Sequence, residues 1–405
     1  MTKRRHLVFA LHDRSWGRAA IALNVAHSLS RRGDSVHLVL NRAAAPVAHD
    51  SGIGYTLVDE YSPSYVTDVV RSFRPTHVIH SDVFSTANFL WRTGVAYEET
   101  LGQTSSVSWT VDVWDSDRTG ALVDVGAETV NLARAPGAAD LMREHSSRTL
   151  IPVPFARTEP AAGRFCALPE VRNADAGSRN GKRAYRRVMF CTAPWQTGAS
   201  STPMRRLSAG LLELLSLYLS RADSEIRLVH VGPRQSELES FLGRRCSWRG
   251  RCRPHELDQM LSDTDLFISA NIAATTIPLA MLHRVPVLVI ENSFEFRHSH
   301  EFDANPRLRL SAEARHILAR TLPIWPFRIW PLGYFRFLEP VMEDNPYRHA
   351  LETVEMFDED GAIAAIRRLV NPGPTRDDAV GRQAAYLESI RTLPTPGDLI
   401  AGASP

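Results

Sequence analysis

The residues best suited to chemistry in this 405-residue chain fall into a few short stretches. Arg249, Arg251 and Arg253 alternate within Cys246-Ser247-Trp248-Arg249-Gly250-Arg251-Cys252-Arg253-Pro254. Three guanidinium forks so close together can clamp phosphates or a carboxylate, or make a solvated basic face. Asn271-Ile272-Ala273-Ala274-Thr275-Thr276 is a small-residue turn before a helix-length segment. Its N–H groups and threonine hydroxyls offer an anion site, the alternative being a plain tight turn. Asp82 closes one apolar run, and Trp109, Asp112, Trp114, Asp115 and Asp117 make an acidic, aromatic loop that suits a polar or cationic small molecule, or solvent. Arg297-His298-Ser299-His300-Glu301 sets imidazoles beside a carboxylate, but without a glutamate-histidine helix spacing, so no metal is expected.

Positioning these residues takes alternating strands and helices. Leu266 to Ile268 and Val285 to Ile290 are apolar runs flanking the turn and its helix, the pattern of strand, crossover helix and parallel strand. The turn then sits at a strand's carboxyl end, where open parallel sheets bind ligands. Earlier, His6 to Leu11 reads as a buried strand, Ala19 to Arg32 as a helix closed by Gly33, and Ser35 to Leu40 as a second strand. A helix at Val66 to Phe73 and strands at Pro75 to His80 and Ser106 to Asp112 continue the series. A second series begins at Arg187, with a helix near Met204 to Ser220 and a strand at Ile226 to Val231 that ends in Gly232. Helices at Gly361 to Leu369 and Asp378 to Arg391 close the chain. The fold class expected is α/β, two Rossmann-like doubly wound parallel-sheet domains facing a cleft, over 1–160 and 187–340. Residues 161–186, rich in proline, glycine and charge, read as a linker, and 341–405 as helices that pack back toward the first domain. The aromatic, proline-rich run from Trp325 to Phe337 suits either a seam between domains or a binding belt.

Composition narrows the function classes. With 44% hydrophobic and 23% charged residues the chain is an ordinary globular one, and a net charge of +2 gives no field marking a nucleic-acid or membrane binder. Apart from Lys3 and Lys182 every basic residue is arginine, a bias that suits a GC-rich bacterial genome. No stretch approaches the roughly 20 apolar residues of a membrane span, and the start lacks a signal-peptide core, so a cytoplasmic location is expected. Cys166, Cys191, Cys246 and Cys252 have no paired spacing and read as reduced thiols.

The two doubly wound units, the linker and the closing helices resemble the GT-B superfamily of nucleotide-sugar-dependent glycosyltransferases, most sharply from Val188 to Ile290. Ala273-Ala274-Thr275-Thr276 takes the place of that family's Gly-Gly-x-Thr diphosphate turn, and Leu279 to Pro286 that of its x-E-A-L-x-x-G-V-P unit. Leu279 stands where the family commonly carries a ribose-binding glutamate, and Arg284 where it has glycine. The resemblance implies transfer of a sugar from a nucleotide-sugar donor to a small-molecule acceptor, in bacterial specialised metabolism, with no metal and no resident cofactor. The carboxy-terminal domain would hold the donor through Trp195, Gln196, Gly232, Arg249, Arg251, Asn271, Ala273, Ala274, Thr275, Thr276, Glu291 and Asn292. The amino-terminal domain would hold the acceptor through Trp16, Gly17, Trp109 and Asp112, with His12 or Asp13 as general base and Asp82 orienting it. A homodimer is compatible with it. Another phosphate-bearing substrate, for epimerisation or a non-glycosyl group transfer, or a catalytically silent partner protein, are the other readings open to the scaffold.

Overall fold

The computed structural model describes the chain except residues 1–3, 12–15, 50, 60–63, 96, 98–100, 102–105, 113–119, 126–127, 145–147, 153–164, 167–184, 198–201, 251, 305–307, 309 and 403–405. Its amino-terminal half carries β1 (Arg5–Ala10), β2 (Ser35–Asn41), β3 (Gly54–Val58), β4 (His77–His80), β5 (Val107–Val111), β8 (Thr149–Pro152) and β9 (Phe165–Cys166). They join in one parallel sheet ordered β3-β2-β1-β4-β5-β8-β9. Among the described residues β6 (Leu122–Val125) and β7 (Glu128–Asn131) stand apart from it, as an antiparallel pair. The carboxy-terminal half carries β10 (Arg186–Cys191), β11 (Ile226–Val231), β12 (Cys246–Arg249), β13 (Leu266–Ser269), β14 (Val287–Glu291) and β15 (Glu352–Glu355). These make a second parallel sheet ordered β12-β11-β10-β13-β14-β15. The near-continuous apolar runs of β1, β10, β13 and β14 fit strands buried on both faces.

Each sheet reverses its winding once, between β1 and β4 and between β10 and β13. Such a reversal splays the flanking connections and opens a crevice beyond the carboxyl ends of those strands. The helices that matter here are α1 (Trp16–Arg31) after β1, α2 (Val83–Arg92) after β4, α3 (Thr202–Ala222), α4 (Pro254–Ser262) and α5 (Thr276–Leu282). After β14 come α6 (Phe335–Met342), α7 (Pro346–Ala350), α8 (Glu359–Val370), α9 (Pro374–Arg391) and α10 (Pro396–Gly402). Helix α8 shows why these segments are helical: Asp358 caps its start by accepting from the Gly361 N–H at 3.1 Å, Glu359 and Asp360 open it and Arg367 and Arg368 close it. That charge order complements the helix dipole, while Ile363, Ile366 and Leu369 turn one face to the core.

The apolar core is continuous between the halves. One cluster runs from Val8, Trp109 and Val111 to Met189, Phe267, Ile272 and Tyr386. A second, with Phe190, Leu215, Ile290, Trp330 and Ile366, fills the other face of the second sheet. The last helix returns to the first: the Gly397 N–H donates to Ser28 Oγ at 3.0 Å, Arg32 pairs with Asp398 at 2.7 Å, and Arg4 donates to the Ile400 carbonyl at 3.2 Å. Among the described residues no helix is long and apolar enough to cross a membrane.

Phe165–Cys166, in the segment read as a linker, pairs with β8 as the edge strand β9, and two further stretches differ from their sequence reading. Glu352-Thr-Val-Glu lies in the segment read as helical, yet it forms the edge strand β15; four half-buried residues carry too little apolar pattern to announce a strand. The Trp325 to Phe337 run is a seam between the halves at Tyr334, whose N–H reaches the Asp124 carbonyl, and at Phe337 in the shared core, but its first part, Trp325 to Trp330, is a buried strap. The strap crosses the carboxyl ends of β13 and β14 through the bridges Asn271–Ile329 and Asn292–Phe327, and buries Phe327 and Trp330 almost completely.

Two measurements check this packing. Burial lowers His77 and His230, each to about 4, and the neighbouring His6 and Arg4 charges add to the effect at His77. The native state therefore binds fewer protons than the unfolded chain between the ordinary histidine value of about 6.5 and pH 4. Stability should be full above that range and fall steadily as pH drops through it, which urea melts at stepped pH will show. Helix α5 ends in a Schellman motif, with Arg284 N–H to Met281 O at 2.9 Å and Val285 N–H to Ala280 O at 3.0 Å. The motif forces exposed Arg284 to φ 54°, so Arg284→Gly should raise the urea-unfolding free energy by about 1 kcal/mol.

Candidate functional site

In the amino-terminal half the reversal point is framed by the start of α1 and the end of β4. Asp82 caps α2: one carboxylate oxygen accepts from the Phe84 N–H at 2.9 Å, and the other from Ser85 Oγ at 2.7 Å and pairs with the Arg18 guanidinium. Arg18 projects from the first turn of α1 with only 17% of its side chain exposed. Burial pushes it down to about 10, against the opposing pull of Tyr334 and Asp112, so it stays charged at neutral pH. Asp112, buried just past β5, donates its N–H to the Leu150 carbonyl at 2.9 Å. Tyr334 comes from the other half of the molecule, where it holds φ 60° and donates its N–H to the Asp124 carbonyl at 3.2 Å. One guanidinium therefore joins β4, β5 and the loop before α6.

In the carboxy-terminal half the turn after β13 is set by Asn271. Its side-chain oxygen accepts from the Ala273 N–H at 2.8 Å and its carbonyl from the Ala274 N–H at 3.0 Å. Tyr347 Oη donates to the Ile272 carbonyl at 2.8 Å and holds the turn from below. Thr275 is the N-cap of α5, yet its side chain makes no cap bond. It lies instead against α1 of the first half: a Cβ built on Gly17 would stand 2.9 Å from Thr275 Oγ1. Gly17, assigned to the acceptor side, and Thr275, assigned to the donor side, are in direct contact.

The neighbouring wall runs along β10, β11 and β12. Gly232 ends β11 with φ 138°, and a Cβ there would fall 2.3 Å from the Thr192 carbonyl, so only glycine fits. Trp248 Nε1 donates to the Gly232 carbonyl at 2.7 Å, which pins the indole at the strand ends while leaving 47% of the residue exposed. Thr192 Oγ1 bonds His230 Nε2 at 2.8 Å behind that wall. Arg249 and Arg253 are exposed beside Trp248, and the Arg253 N–H is taken by Glu256 at 2.7 Å.

The remaining predicted residues separate into placed and committed. His12, Asp13 and Arg251, with Trp114, Asp115 and Asp117, lie outside the described residues, and Trp16 opens α1. Trp195 is half-buried against the core. Trp109, expected on an acceptor surface, is 5% exposed and packs in the core, because β5 turns that face inward with Val111. Gln196 is spent on the Ala193 N–H at 2.7 Å and the Trp330 carbonyl at 3.0 Å. Asn292 is likewise spent on the Phe294 and Trp325 backbone. Glu291 is buried between Arg328 at 3.7 Å and Arg348 at 3.6 Å. Arg18, Tyr334 and Trp248 were not singled out by sequence reasoning; the position of Arg18 in a helix's first turn beyond a βα junction was the one local signal. Among the described residues no three acidic, histidine or cysteine side chains converge as metal ligands do.

Residues 25–404 match the family described as "Family of unknown function (DUF6365)". No curated protein matches the chain. Among solved structures it is similar to the spinosyn rhamnosyltransferase SpnG, with a TM-score of 0.55 and 13% identity over 98% of this chain and 99% of that one. It is also similar to the spinosyn forosaminyltransferase SpnP, with a TM-score of 0.51 and 14% identity over 98% and 97%. SpnG has been solved with thymidine diphosphate and with spinosyn aglycone. The chain has the GT-B fold of these glycosyltransferases.

The Arg18 cluster makes a stability prediction. Removing one partner of a part-buried ion pair strands the others, at a cost of about 3 kcal/mol. Arg18→Met should lose about that much at pH 7 in chemical denaturation.

Proposed function

Since the chain belongs to the DUF6365 family, whose name assigns no activity, its own residues have to carry the argument, and we propose that it is a GT-B glycosyltransferase. It moves a sugar from a nucleotide-sugar donor to a small-molecule acceptor, as a cytoplasmic enzyme of bacterial specialised metabolism. The observation that carries this reading is the contact of Gly17 with Thr275, which sets the reversal points of the two sheets against each other. Ligands of open parallel sheets bind at such points, so a donor on one and an acceptor on the other meet where the bond is exchanged.

The donor lies along the carboxyl ends of β10 to β13. Its diphosphate is held at Ala273 to Thr276, with Arg249 and Arg251 supplying positive charge as the leaving group departs. The first two N–H groups of that turn are already taken by Asn271, which leaves Thr275 and Thr276 to face the anion. The exposed face of Trp248 stacks the nucleobase, the role open to an aromatic ring pinned by its own N–H. Glu291, Asn292 and Gln196 act one step back, by fixing the strap and loops around the sugar. On the other side, Trp16, Gly17 and Asp112 shape the acceptor site. His12 or Asp13 takes the acceptor hydroxyl proton as its oxygen attacks the anomeric carbon and the bond to diphosphate breaks. Arg18 holds Asp82 and Asp112 in place on the acceptor side. The nucleotide sugar is a co-substrate, and no metal or resident cofactor enters the scheme.

Leu279 favours one second reading. It is half-buried against the core, where a ribose-binding carboxylate would stand in the common motif, so a different phosphate-bearing substrate suits the same turn.

Thermal shift with millimolar thymidine, uridine, guanosine and adenosine diphosphates tests the proposal. At least one should raise the melting temperature, and none doing so sinks it. Trp248→Ala should weaken that nucleotide by about 1–3 kcal/mol, the worth of one stacked base. His12→Ala and Asp13→Asn, made singly, should between them identify a base by a loss of turnover far larger than the loss of donor affinity.

A further inference from the structure

Trp248 and Arg249, both proposed to face the nucleotide, are held by one glycine. The Gly232 carbonyl accepts from Trp248 Nε1 at 2.7 Å, and the Gly232 N–H donates to the Arg249 carbonyl at 3.0 Å. Whatever fixes Gly232 therefore fixes the stacking face and the neighbouring cation together. Glycine does not do this for itself, because at φ 138° it has no side chain to pack against its surroundings.

Thr192 supplies the restraint. It follows β10 and crosses the end of β11, where it is fastened at two successive residues. Its N–H donates to the Val231 carbonyl at 2.9 Å, and its hydroxyl shares a hydrogen bond with His230 Nε2 at 2.8 Å. It then presses on the third residue: a Cβ built on Gly232 would lie 2.3 Å from the Thr192 carbonyl oxygen and 2.6 Å from its hydroxyl. Thr192 is 6% exposed and His230 1%, so neither side chain can exchange this partner for bulk water. The His230 ring lies against Phe190, with centroids 6.1 Å apart. Burial lowers His230 to about 4, so at pH 7 the neutral ring carries one N–H and one bare nitrogen. A hydroxyl can serve either of them at Nε2.

Valine has nearly the shape of threonine and would fill the same space. A hydroxyl paired with an enclosed imidazole sets a direction as well, which valine cannot do. We propose that Thr192 is a positioning residue of the nucleotide site: its bond to His230 holds Gly232, and through it Trp248 and Arg249, in the orientation that meets base and diphosphate. The role rests on the donor reading above, but the restraint acts before any ligand binds.

The test uses the full chain with ¹⁵N-labelled tryptophan, the Trp248 indole signal being assigned by its loss in Trp248→Phe. Thr192→Val should shift that signal and speed exchange of its proton with solvent by about tenfold or more, while the other tryptophan signals hold. Thr192→Ser, which keeps the hydroxyl, should restore both. If the valine variant does not fold, as its melting temperature will report, Thr192→Ala reads the same loss. An unchanged Trp248 signal without the hydroxyl, or no rescue by serine, would overturn the proposal. Whichever nucleoside diphosphate binds the wild-type chain should bind the valine variant about tenfold more weakly, and equal affinity would overturn the proposal too. If no nucleotide binds the wild-type chain, the donor reading alone fails, and the indole signal still decides whether Thr192 sets Trp248.

Discussion

A single guanidinium ties the two halves of this protein together at the place where they face each other. Arg18 is too enclosed to be solvated as a surface arginine is, and burial alone drives its proton affinity down. It remains charged at neutral pH, paired with Asp82 and close to Asp112 and Tyr334. Those partners sit on β4, β5 and the loop before α6, so the pairing holds only while both sheets keep their relative position. The neighbouring residue makes the same demand by shape, since Gly17 meets Thr275 with no room for a side chain between them. Charge and shape, one residue apart on α1, fix the same geometry.

That geometry explains how the turn after β13 dispenses with the glycines common in its motif. Glycine serves such a turn by allowing left-handed backbone and close approach. Here Asn271 performs the first task, folding the chain back through its side chain and carbonyl, and alanine is small enough for the second. The left-handed residue has moved to the other end of α5, where Arg284 takes it under the Schellman bonds. The strain is therefore stored at the far end of α5 from Thr275, at an exposed residue.

Much of the fold was legible because parallel strands buried on both faces announce themselves as unbroken apolar runs. Leu266 to Ser269 and Val287 to Glu291 bury every residue, and both were readable within a residue or two. Glu352 to Glu355 was not, because an edge strand with a polar pattern looks like loop or helix. The candidate site was legible to the same degree. Gly17, Asp82, Gly232 and Thr275 follow strands and could be placed by that rule alone. Trp109 could not be told from a surface aromatic, since the face of β5 it occupies depends on packing with distant strands. Arg18 and Arg328 were invisible because arginine reads as solvent-facing until partners from other elements enclose it.

The buried strap from Trp325 to Trp330 braces the proposed donor side. A glycosyl donor needs strand ends that do not shift as charge leaves, because preorganised dipoles stabilise a transition state only if they need not move. Here the Ile272 N–H donates to the Arg328 carbonyl at 3.1 Å, and the Trp330 N–H to the Ala270 carbonyl at 2.8 Å. Gln196, from the loop after β10, reaches the same strap at Trp330. The loops after β10, β13 and β14 are thus sewn to one buried segment. Gln196 and Asn292 look spent when each is asked what ligand it touches. Their bonds to the strap help instead to fix the turn that carries Thr275, the surface proposed to face one.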